Sequence, residues 1–81
     1  MRLRVRLFAV AKQAAGRDSI DLELPQGATI AQLRHRLGVQ VPQLSALAPQ
    51  MLFAINRQYA DDEAIVPPGA DVACIPPVSG G

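Results

Sequence analysis

The sequence predicts an α+β domain, with one main helix packed on one face of a four- to five-stranded sheet. Three observations predict it. Residues 1–8 alternate strictly between apolar and polar side chains, the period of a half-buried strand. One stretch, opening at Thr29, carries apolar residues at helical spacing behind a capping signal. The remaining apolar runs are short and are separated by Pro, Gly, Asn and Asp turns, which makes strands of them and leaves one helix to cover their sheet.

The elements follow in order. In the first strand, Leu3, Val5 and Leu7 point one way and Arg2, Arg4, Arg6 and Phe8 the other. A large aromatic on the arginine face is either local cover or part of a contact surface. Ala9–Ala15 is alanine-rich and ends at Gly16, which suits a short helix with a glycine after its C-terminus. Ser19–Leu24 alternates again, with Ile20, Leu22 and Leu24 on one face. The helix between these strands is about two turns long, short of a parallel crossover, so the two strands are expected to pair antiparallel.

Thr29 and Gln32 have the spacing of a capping box, and Ile30, Leu33 and Leu37 form one apolar stripe; Gly38 is expected to close this helix. His35, the single histidine, lies off the stripe with no Cys, Asp or Glu at helical spacing, as a solvated residue does. Val39–Gln50, with Pro42 and Pro49, reads as a loop holding one helical turn that brings Leu44 and Leu47 together. Met51–Asn56 is a short apolar strand, Asn56-Arg57 a turn, and Gln58–Ala60 a brief return strand. Asp61-Asp62-Glu63 lacks the spaced ligands and glycine of a calcium loop and reads as a solvated turn. Pro67–Ala70 turns the chain into the last strand, Asp71–Ile75. There Val72 and Cys74 share one face, Cys74 towards the core as a small hydrophobe, and Asp71, Ala73 and Ile75 share the other. If this strand lies beside the first, Phe8 and Ile75 share the outer face.

Composition narrows the function. The 81 residues make one domain, and with only three aromatics the core must be aliphatic. A net charge of +1 gives no basic field for nucleic acid. The arginines interrupt the apolar residues at the N-terminus, and Leu7–Ala11 is too short for a signal sequence or a membrane span. One cysteine makes no internal disulfide, which fits a reducing, cytoplasmic setting. The chain shows no catalytic dyad, metal cluster or phosphate loop, so no metal or cofactor of its own is expected.

What remains is the end, Pro76-Pro77-Val78-Ser79-Gly80-Gly81. The prolines stop the strand and direct the chain outward. Gly80 and Gly81, without Cβ atoms, fit a narrow channel. The division expected is a body over residues 1–76 and a tail over 77–81, which fully extended reaches roughly 17 Å. A terminal carboxylate is ionised at neutral pH and is a poor acyl donor. To react it must be activated, most simply as a mixed anhydride with a phosphate, after which sulfur can replace the activating group.

These residues resemble the small subunits of molybdopterin synthase, the ubiquitin-like β-grasp sulfur carriers. The resemblance runs through Leu7-Phe8-Ala9 and the short helix, the Thr29 helix and Ile55-Asn56. It is strongest from Pro68-Gly69-Ala70-Asp71-Val72-Ala73 into the tail. Thiamine-pathway carriers share the fold and Gly-Gly but usually lack the Pro-Pro-Val lead-in. The resemblance implies that a ubiquitin-activating-type adenylating enzyme uses ATP to activate Gly81 and that sulfur transfer makes a Gly81 thiocarboxylate. Pro76, Pro77, Val78, Ser79 and Gly80 then insert into the large synthase subunit, and the sulfur passes to a pterin precursor. It implies two copies of each subunit in a heterotetramer, and Phe8 and Ile75 as interface residues, Ile75 standing where the family often has an aromatic. A carrier for another pathway, a modifier that joins Gly81 to lysines, and a plain interaction module remain alternatives.

Overall fold

The computed structural model describes residues 1–77. Strand β1 (Arg2–Leu7) sends Leu3, Val5 and Leu7 into the core and its three arginines to the opposite face. Helix α1 (Ala9–Ala15) follows and stops at Gly16, whose φ of 71° is the left-handed cap that favours glycine. Strand β2 (Ser19–Glu23) pairs antiparallel with β1, from Arg2 opposite Glu23 to Arg6 opposite Ser19.

Helix α2 (Ile30–Gln40) opens on a complete capping box. The Gln32 N–H donates to Thr29 Oγ1 at 3.3 Å, and the Thr29 N–H donates to Gln32 Oε1 at 2.8 Å. Ile30, Leu33 and Leu37 are its buried stripe. Gly38 does not close this helix, which runs on through Gln40. Its glycine serves packing instead: a Cβ there would sit 3.4 Å from the Ser45 Cα. The expected single turn is two, a 3₁₀ turn at Pro42–Leu44 and another at Ala48–Gln50, with Leu44 buried and Leu47 packed on the core.

Strands β3 (Leu52–Ile55), β4 (Gln58–Ala60) and β5 (Val72–Ile75) complete a five-stranded sheet of order β2-β1-β5-β3-β4. The β1–β5 pair is parallel and the other three are antiparallel, so the sheet is mixed. Chain start and chain end therefore run side by side at the centre. Helix α2 covers one face, where Leu3, Val5, Leu22, Leu33, Leu37, Phe53, Val72 and Cys74 form an almost wholly aliphatic core. Among the described residues no helix is long and apolar enough to cross a membrane.

The β3–β4 hairpin turns on Asn56 and Arg57, with φ of 50° and 71°. A two-residue turn with both φ positive matches the twist of its strands, but a side chain there costs roughly 1–2 kcal/mol. Arg57→Gly is therefore expected to stabilise the fold by about 0.5–1 kcal/mol, net of glycine's greater freedom when unfolded. Urea unfolding of the two proteins checks this, and a loss of stability would contradict it.

Arg34 ties three segments together. Its Nη1 donates to the carbonyls of Ala48 at 2.8 Å and Met51 at 2.6 Å, its Nη2 reaches Asp62 Oδ1 at 2.7 Å, and its guanidinium lies 4.9 Å from the centre of the Phe53 ring. It thus fastens α2 to the entry of β3 and to the loop after β4. Asp62 is accordingly a partner of Arg34 as well as part of a turn.

Candidate functional site

The site is the sheet face that α2 leaves uncovered, at the end where β5 gives way to the tail. Alternation along the strands decides which side chains reach it. Strand β5 turns Val72 and Cys74 to the core, so Ala73 and Ile75 face outward. Its neighbour β3 aligns Leu52 with Ile75 and Ala54 with Ala73, and β4 sets Tyr59 opposite Ala54. On the other side β1 aligns Arg6 with Ala73. Phe8 lies one step beyond the last β1–β5 pair, its N–H donating to the Cys74 carbonyl at 3.2 Å. At Ala9 the chain takes a φ of 51° and leaves the sheet for α1.

Phe8, Ile75 and Leu52 thus form one row across three adjacent strands, and Tyr59 of β4 stands in the next row, with Ala54, Ala73 and Arg6. Phe8 is 40%, Leu52 39% and Tyr59 68% exposed, and Ile75 is half-buried. Exposed apolar side chains standing singly are ordinary, but a row of them at the base of a tail is a candidate contact surface. Directly beyond it, Pro76 is half-buried and Pro77 exposed. Pro76 lacks the N–H that would extend the ladder, so β5 ends here.

The other end of the same face is polar. Arg2 meets Glu23 at 3.1 Å, Arg4 meets Asp21 at 3.2 Å, and Arg6 meets Asp71 at 2.9 Å. Apolar and polar halves join at Arg6, whose guanidinium carbon lies 5.4 Å from the centre of the Phe8 ring.

Phe8 and Ile75, the two contact residues that the sequence suggests, are therefore brought together, with Pro76 and Pro77 beside them. Val78, Ser79, Gly80 and Gly81 lie outside the described residues. Leu52, Tyr59, Arg6 and Asp71 join the site without having been singled out from the sequence. Strand parity places each of them on a face, but which faces coincide follows only from the strand order. His35 is exposed on α2, away from this face.

Cys74 lies beneath the site, on the core side. It is fully buried, and burial pushes its thiol up to about 11, against the lowering influence of Arg34. The sign of the pH effect follows. The unfolded thiol ionises near 9.0 and the folded one near 11. Stability is therefore full below pH 9 and is lost as the pH rises towards 11, by roughly 2–3 kcal/mol. Cys74→Ala is expected to abolish this part of the alkaline loss in urea unfolding measured from pH 8 to 11. An unchanged pH profile would contradict it.

Comparison with known proteins adds identity to this geometry. The family model described as "ThiS family" matches residues 5–81. The chain is 34% identical over 79 residues to the molybdopterin synthase sulfur carrier subunit of Arabidopsis thaliana, covering 98% of this chain and 82% of that protein. It is 36% identical over 81 residues to the protein of the same name in Dictyostelium discoideum, covering 96% and 94%. Among solved structures, SAMP1 from Haloferax volcanii has the same fold, with a TM-score of 0.87 at 22% identity and both chains covered in full. A chain in the complex of subunits 1 and 2 of the molybdopterin-converting factor from Helicobacter pylori also shares the fold, with a TM-score of 0.69 at 20% identity over the whole of both chains.

Proposed function

The chain belongs to the ThiS family, and from that membership we propose that it is the sulfur carrier subunit of a molybdopterin synthase. The observation that carries the reading is the identity of 34% and 36%, over nearly the full length, to two proteins of that name. The family match through residue 81 supports Gly81 as the reacting residue.

The chemistry is confined to the Gly81 carboxylate. An adenylating enzyme of the ubiquitin-activating type joins this carboxylate to the α-phosphate of ATP and releases pyrophosphate. A sulfur donor displaces AMP and leaves a thiocarboxylate. In the complex with the large subunit, the thiocarboxylate sulfur attacks a carbon of the pterin precursor and displaces an oxygen substituent, forming a thioester. Water then cleaves the thioester, leaving the sulfur on the pterin and returning Gly81 to a carboxylate. The body contributes placement. Its apolar row rests on the large subunit, and Pro76 and Pro77 aim Val78, Ser79, Gly80 and Gly81 into the partner's active site. Each loading delivers one sulfur, so a product with two sulfurs draws on two carriers, in keeping with an assembly of two small and two large subunits. The setting is the cytoplasm, and the pterin-binding and acid–base groups belong to the partner.

Reconstitution tests the reading. The thiocarboxylated chain, mixed with its host's large subunit and pterin precursor, is expected to yield the dithiolene product and return as the carboxylate. Failure of any sulfur to leave the chain would refute it. Ile75→Asp places a charge at the centre of the apolar row and is expected to weaken binding to the large subunit by roughly tenfold or more while the fold survives. Isothermal titration calorimetry reads the difference, and unchanged affinity would remove Ile75 from the interface.

A further inference from the structure

The three ion pairs on the outer face are not alike. Arg2–Glu23 and Arg4–Asp21 are each joined through one arginine nitrogen and are largely exposed. Arg6–Asp71 is bidentate: Nε donates to Oδ1 and Nη2 to Oδ2, both at 2.9 Å. Among the described residues it is the one ion pair that engages both carboxylate oxygens, and it joins residues 65 apart in the chain.

Asp71 is itself held from behind. Its backbone N–H donates to Asn56 Oδ1 at 3.0 Å, and its carbonyl accepts from the Asn56 N–H at 2.8 Å. Neither bond uses the carboxylate, which is left to fix Arg6. The guanidinium so fixed lies at the ring of Phe8. The hairpin turn, the start of β5 and the exposed aromatic of the apolar row are thereby linked in one chain of contacts.

A lone guanidinium beside an apolar contact surface is a liability. Covering it strips its water, and an unpaired covered charge is strongly unfavourable. A bidentate carboxylate reduces that penalty, because the pair is neutral and already hydrogen-bonded. Its geometry is set before docking, so little ordering remains to be done on contact.

On the docking face assigned above, we propose that Arg6 and Asp71 act as one neutral, pre-organised unit, covered by an apolar surface of the large subunit. Arg6 is a positioning residue that holds Phe8 for that contact, and Asp71 keeps the covered guanidinium paired. The inference rests on the docking reading and adds the specific role of this pair. It requires no acidic group on the partner.

The test compares the dissociation constants of the whole chain and three variants for the host's purified large subunit, by calorimetry. Asp71→Asn keeps the size and backbone bonds of residue 71 but leaves Arg6 charged and unpaired, and Arg6→Met leaves Asp71 unpaired. Each single variant is expected to bind at least roughly tenfold more weakly, about 1.4 kcal/mol. The double variant Arg6→Met/Asp71→Asn has no charge to cover. It is expected to bind no more weakly than the worse single variant, although separate effects would multiply. A merely structural role would show instead as parallel losses in thermal stability, which circular dichroism of each variant reads. If the wild-type chain binds and both single variants bind equally well, this inference falls and the docking reading stands. Losses that multiply in the double variant also overturn it. If the wild-type chain does not bind the large subunit at all, both fall.

Discussion

A chain lacking Gly81 keeps the fold and binds the large subunit but transfers no sulfur. The body and its apolar row are complete by Ile75, with the two prolines at the root of the tail. The core described above is built from residues up to Cys74. Deleting Gly81 leaves Gly80 with a carboxylate withdrawn by about 3.3–3.6 Å, one residue of extended chain. A reacting group misplaced by about 1 Å can lose roughly 100-fold in rate. The expected outcome is an unchanged melting temperature, unchanged affinity for the large subunit, and transfer below detection both from donor to carrier and from carrier to precursor. Transfer within tenfold of the full chain would show that the last residue is not the reacting one. Loss of binding together with transfer would show that Gly81 acts in docking.

Arg34→Ala is expected to lower stability by about 3 kcal/mol. The guanidinium lies at the edge of the core, 20% exposed, and serves the Ala48 and Met51 carbonyls, Asp62 and the Phe53 ring together. Hydrogen bonds to a charged group contribute about 1.5–3 kcal/mol each, and truncation leaves carbonyls of buried residues short of a donor. For a domain this small the loss corresponds to a fall of roughly 12–24 °C in melting temperature. Arg34→Lys recovers only part, because one ammonium cannot span the fork of acceptors that the planar guanidinium meets. Urea and thermal unfolding read both variants. A loss under about 0.5 kcal/mol for Arg34→Ala would mean that water replaces the whole set.

Arg34 also marks what the sequence hides. Its acceptors lie 14, 17 and 28 residues away, on two separate segments. Helical spacing shows only that Arg34 flanks the apolar stripe, and nothing local names its partners. The Arg6–Asp71 pair is hidden for the same reason, since it exists only because β5 returns to lie beside β1. The alternation of residues 1–8, by contrast, needs no partner to be read, because a strand with one covered face must alternate wherever it sits. The Thr29–Gln32 capping box is legible for a similar reason, being closed within four residues.

Gly38 was open to misreading. Glycine after an apolar stripe ordinarily signals a left-handed cap, as Gly16 does. At Gly38 the same residue makes room for the chain at Ser45, a tertiary need with no local mark. Of the site, Phe8 and Ile75 were legible as a pair once β1 and β5 were supposed adjacent. Leu52 and Tyr59 were not, because their register against β5 is set by the antiparallel course of β3 and β4.

The central claim is that the carboxylate of Gly81 carries the sulfur. Its most direct test is the intact mass of the chain after incubation with ATP, a sulfur source and its host's activating enzyme. The predicted result is a gain equal to the replacement of one oxygen by sulfur, absent without ATP and absent when Gly81 is deleted. No gain under conditions in which the activating enzyme consumes ATP would contradict it. Lysine-linked adducts in place of the thiocarboxylate would make the chain a protein modifier.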